Sequence, residues 1–197
     1  STSTSTVSMA ALHVLLATGT RVVLPPPFLC CGFPAKVNAK EEMYSRQVLR
    51  DTILFSQIRE MFSYLEFDAC VVTCGTCREA LVALEAGKVF GCAVSDAGRL
   101  ALDLGAPLAI DGAFLYHAPC HDSLEGKAQD VLAKLGGFGN VEAVPHCCSE
   151  AGTLALSRPD ITDAMLHRKR GALEEAMQGR RGVTVLTNCP SCVQGLG

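Results

Sequence analysis

A duplicated set of paired cysteines constrains this chain more than any other feature of its sequence. An adjacent pair at 30–31 is followed by CGTC at 74–77, and a second adjacent pair at 147–148 is followed by NCPSC at 188–192. The adjacent pairs are 117 residues apart and the CxxC pairs 115 residues apart. Self-similarity at a fixed distance indicates duplicated structural units. The sequence therefore predicts two related units that present their cysteines in the same order.

Hydrophobic patterning gives both units the same order of elements. The first unit has the pattern of helix, strand, CC loop, helix, strand and CxxC helix, at 7–18, 21–24, 30–31, 38–65, 69–73 and 74–87. The second repeats it at 127–136, 140–144, 147–148, 159–177, 183–187 and 188–192, after an additional strand at 114–119. Strands that alternate with helices imply parallel sheets, and ligands bind at the carboxyl ends of such strands. We expect an α/β fold of two pseudo-symmetric units, 1–110 and 111–197, with the cysteine loops at the carboxyl ends of strands.

The second unit carries one more cysteine than the first. Cys120 ends the additional strand, and the ungapped counterpart of that position in the first unit is Ser3, within the polar stretch STSTST. We expect the first strand and first cysteine of the first unit to be degenerate or to lie upstream, with the chain a fragment or a processed form. The candidate metal ligands of the second unit are Cys120, Cys147, Cys148, Cys189 and Cys192, and those of the first unit are Cys30, Cys31, Cys74 and Cys77.

The clustering of the cysteines indicates a metal site rather than a disulfide framework. The chain has 11 cysteines, an odd number, and most fall in CC or CxxC pairs. Such spacing is typical of metal ligands, whereas disulfides staple small secreted domains. Cys70 and Cys92 lie apart from the pairs, and we expect both to be small buried apolar residues.

Composition and charge exclude several classes of partner. The net charge is -3 and no Lys/Arg-rich run is present, so nothing predicts binding to nucleic acid. No apolar stretch approaches the roughly 20 residues of a membrane span, and the N-terminus lacks the pattern of a signal peptide. These features predict a cytoplasmic protein without a transmembrane segment, which could reach the inner face of the membrane through partners.

The cysteine pattern resembles a known family. Cys120, then CCSEAG at 147–152, then NCPSC, preceded by a degenerate twin, is similar to the CCG-domain proteins, which include the heterodisulfide reductase B subunit. The stretches YHAPCHDS and CCSEAGTLALSRPDI look more like the branch of FAD-linked D-lactate and glycolate-type dehydrogenases. The resemblance spans nearly the whole chain. It implies pseudo-symmetric α/β units and iron-sulfur clusters, in the best-studied members a non-cubane 4Fe-4S cluster. Ser149 stands where the family has glycine, whereas Gly32 keeps it in the first unit.

The residue types suit an iron-sulfur cluster. A CxxC pair at the start of a helix presents two sulfurs on one side, and the helix N-terminus favours the thiolate. Adjacent cysteines diverge, so they reach two irons of one cluster more easily than a single zinc ion, and five thiols exceed the four ligands of tetrahedral zinc. Zinc stays an alternative for the four cysteines of the first unit.

The residues that flank the cysteines have weaker signals. His117, His121 and His146 should lie near the second unit's cysteines, and with Gly32 and Ser149 we expect them to surround a cluster rather than bind it. His13 and His167 fall in helical patterns and are interpreted as structural. Asp122 and Glu150 are interpreted as charges at helix starts.

These features together predict an iron-sulfur electron-transfer domain of an FAD-linked oxidoreductase that acts on a 2-hydroxy acid such as lactate or glycolate. No GxGxxG follows a strand, so the flavin is expected on a partner domain or subunit, with a quinone or similar molecule as acceptor. Two alternatives stay open. One is a disulfide reductase that works at the cluster, as in heterodisulfide reductase, and the other is a zinc-stabilised interaction module.

Overall fold

A computed structural model describes residues 2–26, 29–108, 110–135, 141–150 and 154–197 of the 197-residue chain. Within these residues the strands are β1 (Ala69–Val72), β2 (Ala93–Asp96), β3 (Ala113–Tyr116), β4 (Glu142–Ala143) and β5 (Val183–Leu186). The helices are α1 (Thr2–Ala17), α2 (Phe33–Val37), α3 (Glu41–Met61), α4 (Gly75–Ala83), α5 (Ala86–Phe90), α6 (Ala97–Asp103), α7 (Ala128–Ala133), α8 (Leu154–Ser157), α9 (Pro159–Met177) and α10 (Pro190–Leu196).

Two small parallel sheets organise the molecule. In the first, β1 pairs with β2, with Ala69 opposite Ala93. In the second, β3 lies between β4 and β5, with Ala113 opposite Val183. The expected α/β fold with parallel sheets is confirmed. Both CxxC pairs directly follow a strand, since α4 follows β1 and α10 follows β5, so both lie at the carboxyl ends of strands.

Two apolar clusters hold the helices against these sheets. The larger lies between β3 and α7 and includes Tyr116, Leu124 and Leu132. In the smaller, Leu15 of α1 packs against Ala101 of α6 and against Ala106. Helix α1 also contacts α10, the last helix of the second unit. The N-terminal helix therefore spans from the first unit to the second.

Three local predictions differ from the structure. The predicted strand at 21–24 is wrong, because these residues lie in no sheet; the three prolines that follow lack the N–H groups that would continue a strand. Helix α1 begins at Thr2, whereas the predicted first helix begins only at residue 7. Strand β2 and helix α6 were not predicted. The Asp96 side chain caps α6 by accepting hydrogen bonds from the amides of Gly98 and Arg99.

The boundary between 1–110 and 111–197 and the superposition of the two units stay predictions. As for membranes, none of the helices in the described ranges has both the length and the apolar character that a bilayer span requires.

Candidate metal centre

In the first unit, three thiols converge at the end of β1. Cys74 is the N-cap of α4, Cys77 lies in the first turn of that helix, and Cys31 reaches them from the loop before α2. The Cys77 thiol interacts with the thiols of both Cys31 and Cys74. Because Cys77 stabilises the thiolate of Cys31, the pKa of Cys31 falls to about 7.

In the second unit, three thiols converge in the same way at the end of β5. Cys189 is the N-cap of α10, and Cys192 lies in the first turn. The Sγ atoms of Cys148 and Cys192 are 3.2 Å apart, and both residues are buried. The contact with Cys192 lowers the pKa of Cys148 to about 4, and the pKa of Cys192 is raised in turn by Cys148 and Cys189. In each unit the second cysteine of CxxC is thus the shared neighbour of the other two.

The two groups of three thiols meet each other. The thiols of Cys74 and Cys189, the first cysteines of the two CxxC pairs, interact across the units, and this interaction lowers the pKa of Cys74. We call the resulting chain of contacts the thiol row. In order, it consists of Cys31, Cys77, Cys74, Cys189, Cys192 and Cys148. The pseudo-symmetry of the fold is visible in this order. The first unit contributes its CC cysteine, then the second and the first cysteine of its CxxC pair, and the second unit contributes the equivalent cysteines in reverse order.

Close backbone packing holds the units together at this point. Gly75 follows Cys74, and a Cβ atom added there would lie 1.7 Å from the carbonyl oxygen of His121 in the second unit. Gly195 of α10 also approaches the backbone closely, since a Cβ atom there would lie 2.6 Å from the carbonyl oxygen of Cys148. Both contacts require glycine because a real Cβ essentially never comes within 3.0 Å of another heavy atom.

The other two cysteines of the second unit border an open cavity. The Sγ atoms of Cys120 and Cys147 are 3.7 Å apart, and Cys120 is exposed. Desolvation is the main cause that raises the pKa of Cys120 to about 11, and the contact with Cys147 acts in the same direction. The cavity has a volume of about 440 Å³ and is lined by both cysteines, Ala118, Ala143 and the segment 144–146. A small molecule could therefore reach this pair from solvent.

Not every cysteine joins this arrangement. Cys30 is exposed, and its expected counterpart in the second unit is Cys147. Cys70 on β1 is partly buried, and burial raises its pKa to about 11, as suits a thiol that stays protonated. Cys92, just before β2, is also partly buried. Ser3 lies in α1, and its side chain is outside the described part of the chain.

The three histidines expected near the site have different surroundings. His117, at the end of β3, is only 1% exposed, and neither ring nitrogen has a hydrogen-bond partner in standard geometry among the described residues. His121 pairs through Nδ1 with Glu79 at 2.5 Å, and its ring packs edge-on against Phe33. His146 is exposed and lines the cavity. The side chains of His13 and His167, interpreted as structural, are exposed on α1 and α9.

The two residues after the adjacent cysteines share one backbone conformation. Gly32 has a φ of 73° and Ser149 a φ of 69°, so Ser149 adopts the left-handed conformation that favours glycine. Its buried hydroxyl is without a hydrogen-bond partner in the described residues, and its amide donates to the Cys147 sulfur at 3.4 Å. Replacement of glycine by Ser149 therefore preserves the turn of the loop, and the close approach of backbones occurs at Gly195 instead.

Sequence reasoning missed Lys169, which supports the second unit's cysteine loop. Its side chain is fully buried although it lies on α9, and Nζ donates hydrogen bonds to the carbonyl oxygens of Val144 and Pro145, both at 2.9 Å. Burial lowers the pKa of Lys169, while the thiols of the nearby cysteines act in the opposite direction. A buried lysine is rare unless it is paired, but the amphipathic pattern of α9 offers no signal that singles it out.

A polar network missed by sequence reasoning positions Cys189. Its neighbour Asn188 accepts a hydrogen bond from Tyr116 and donates to Asp122 and Ser123, at 2.7 to 3.0 Å. Ser123 in turn donates to Asp96, which caps α6 of the first unit. Asp122, expected at a helix start, instead accepts from the amides of a turn at 124–126. Glu150, the other acidic residue expected there, is exposed.

The donor set fits a thiolate-bound metal centre. The contacting sulfurs in the second unit, 3.2 and 3.7 Å apart, are well beyond the disulfide bond length of about 2.05 Å, and all the cysteines are free thiols. His117, Cys148 and Cys192 place their ligand atoms within 4.8 Å of one another. The role of each cysteine and histidine as a ligand or a neighbour of a metal centre stays a prediction.

Comparison with known proteins gives one family and two relatives. The model of the CCG cysteine-rich domain matches twice, at residues 2–81 and 114–197. The chain is 25% identical to an uncharacterized iron-sulfur protein of Methanocaldococcus jannaschii over 193 residues, which cover 92% of this chain and 36% of that protein. It is also 25% identical to an uncharacterized iron-sulfur protein of Methanococcus maripaludis, with 94% and 37% covered. The chain thus spans little more than a third of these relatives' length. No solved structure matches.

Proposed function

The chain belongs to the CCG family of cysteine-rich domains, and on that premise we propose that it is an iron-sulfur electron-transfer domain. The two similar proteins carry the words "iron-sulfur" in their names, and the free, converging thiols described above are the ligands that such clusters need. An iron-sulfur cluster, when bound, takes up and releases single electrons.

The observation that carries this proposal is the thiol row. It contains thiols of both units in contact, with the junction at Cys74 and Cys189. Two structural zinc sites would each need a separate group of four ligands, and such sites would not require the thiols of one unit to contact those of the other. In the first unit, moreover, three thiols converge while Cys30 points to the surface, which is one ligand short of a closed zinc site.

The chain's own residues would bind, shield and polarise the cluster. Cys148 and Cys192 are buried, so water is excluded from the inner end of the second site. Lys169 places a buried amino group beside the same thiols, which offsets part of the negative charge of a thiolate ligand set. Asn188 and its network hold the residue before Cys189 in place.

The electron donor and acceptor are proposed to lie on other domains or subunits. Because the chain spans little more than a third of its relatives, a complete enzyme would have room for a further domain. The YHAPCHDS and CCSEAG stretches support an FAD-linked dehydrogenase of the lactate or glycolate type as the donor, with a quinone or similar acceptor. Partners of this kind would also account for an electron-transfer domain without a flavin motif of its own.

Anaerobic reconstitution with iron and sulfide tests the proposal. We expect Cys148→Ser to remove most of the visible cluster absorption, because the second unit has the more complete ligand set. The counterpart Cys31→Ser should remove less, and Cys70→Ser, which lies outside the thiol row, should leave absorption unchanged.

Two results would contradict the proposal. The reconstituted wild-type protein could bind no iron and sulfide, or the three variants could lose the same amount of absorption while staying folded. One equivalent of zinc without sulfide would identify the zinc-stabilised module instead.

Reduction of a disulfide is a second candidate function, favoured by the open cavity beside Cys120 and Cys147. The reaction would consume two electrons and two protons and yield two thiols, with the electrons supplied by a reduced flavin partner. Ala143→Phe should narrow the cavity and slow the reduction of an added disulfide by the dithionite-reduced protein. A rate that is zero in the wild type, or equal in the variant, would exclude this candidate.

A further inference from the structure

The imidazole of His117 is buried next to two thiols without a conventional partner. Its backbone amide donates to the carbonyl oxygen of Leu186 at 2.8 Å, so the sheet fixes its position at the end of β3. The residue is 1% exposed, and neither Nδ1 nor Nε2 meets hydrogen-bond geometry with any of the described residues, although the Cys148 thiol is a direct neighbour of the ring. A buried polar group that is left unsatisfied destabilises the folded state, so such a group calls for a specific explanation.

Geometry supplies that explanation. A ring nitrogen of His117 and the sulfurs of Cys148 and Cys192 all lie within 4.8 Å of one another, and all three residues are buried. Metal–nitrogen and metal–sulfur bonds of about 2.0 to 2.3 Å allow one ion to reach three such atoms with small side-chain adjustments. Within the described ranges, this is the one group of three His, Cys, Asp or Glu residues with that geometry.

We propose that His117 is a nitrogen ligand of the second unit's metal centre, together with Cys148 and Cys192. This inference rests on the proposed function and changes the expected role of His117 from a neighbour of the cluster to a ligand. His121 and His146 do not share the role, because His121 is paired with Glu79 and His146 is exposed at the cavity.

The consequence concerns the charge of the second unit's ligand set. A neutral imidazole in place of a thiolate removes one negative charge from the ligand set, which raises the reduction potential. A second-unit centre that includes the His117 imidazole would therefore have a higher potential than the same centre with a thiolate at this position.

Nitrogen hyperfine spectroscopy of the reduced, reconstituted protein tests the assignment. Protein labelled with [15N]histidine should show a strong coupling typical of a directly bound nitrogen. The coupling should vanish in His117→Ala, because this variant lacks the imidazole nitrogen. It should persist in His121→Ala and His146→Ala. The midpoint potential of the metal centre in the second unit should fall in His117→Cys, because this variant introduces a thiolate in place of the neutral imidazole. The assignment is overturned if the labelled wild-type protein shows no directly bound nitrogen, or if its coupling survives in His117→Ala.

A cobalt titration separates this inference from the proposed function. Co²⁺ needs no sulfide, so it probes the three residues even if no iron-sulfur cluster assembles. We expect the Co²⁺ affinity of the metal-free, reduced protein to fall by on the order of 100-fold in His117→Ala, with shifted visible bands. Unchanged affinity and bands in His117→Ala would refute the ligand role, whereas cobalt binding without cluster assembly would refute only the iron-sulfur proposal.

Discussion

Gly75 joins the two units, and an added methyl group at this position tests that contact directly. A Cβ atom there would lie 1.7 Å from the carbonyl oxygen and 2.4 Å from the carbonyl carbon of His121. Both are backbone atoms, so no side-chain rotation can relieve the clash. Ordinary contact begins near 3.4 Å, which means that one backbone must move by more than about 1.5 Å.

The cost of that movement is large compared with the stability of a domain. Overpacking typically costs about 1–3 kcal/mol and occasionally more, and a clash between two backbones belongs at the upper end. We expect Gly75→Ala to lower the free energy of unfolding by about 3 kcal/mol or more, a substantial part of the roughly 5–15 kcal/mol of a typical domain. The same movement would separate Cys74 from Cys189.

Urea unfolding of the reduced, metal-free protein, followed by circular dichroism, measures this effect. The matched control is Gly171→Ala within α9, where an added Cβ meets nothing within 4 Å. There alanine should increase stability by about 0.5–1 kcal/mol, because it is the better helix former. The same substitution should therefore have opposite signs at the two positions. A Gly75→Ala protein within about 0.5 kcal/mol of the wild type would refute the packing of the units described here.

Two further predictions concern buried charges. Lys169→Met should lower the free energy of unfolding by about 1–3 kcal/mol because it leaves the carbonyl groups of Val144 and Pro145 without their donor, whereas the exposed Lys127→Met should have little effect in the same urea assay. An equal loss in both variants would contradict the role of Lys169. Burial raises the pKa of Asp51, so the folded state favours the protonated form, and this contribution to stability is present below the unfolded pKa and lost as the pH rises through the folded pKa. Asp51→Asn stays neutral at every pH, so its free energy of unfolding should exceed that of the wild type at pH 7. The difference should shrink towards pH 4, and a difference independent of pH would show that ionisation of Asp51 plays no part.

Local sequence patterns were sufficient for the repeat and for the parallel α/β architecture. Each CxxC pair follows a β-rich run and opens a helix, and these are short-range relationships that spacing and side-chain type express directly. The wrong prediction of a strand at 21–24 also arose from a local pattern. Val22, Val23 and Leu24 have strand propensity, but none of the strands in the described ranges pairs with them, and the prolines after them prevent extension.

The meeting of the two units was beyond any local pattern. Cys74 and Cys189 are 115 residues apart, and their contact depends on how the units pack at Gly75. The roles of Lys169 and His117 were hidden for a related reason. A lysine in a charged helix and a histidine after a strand are compatible with exposure or burial, and only the packing of α9 and β3 beside the cysteine loop determines which. Sequence spacing thus specifies which thiols each unit offers, whereas the free energy of packing between units specifies which of them meet and which charged groups surround them.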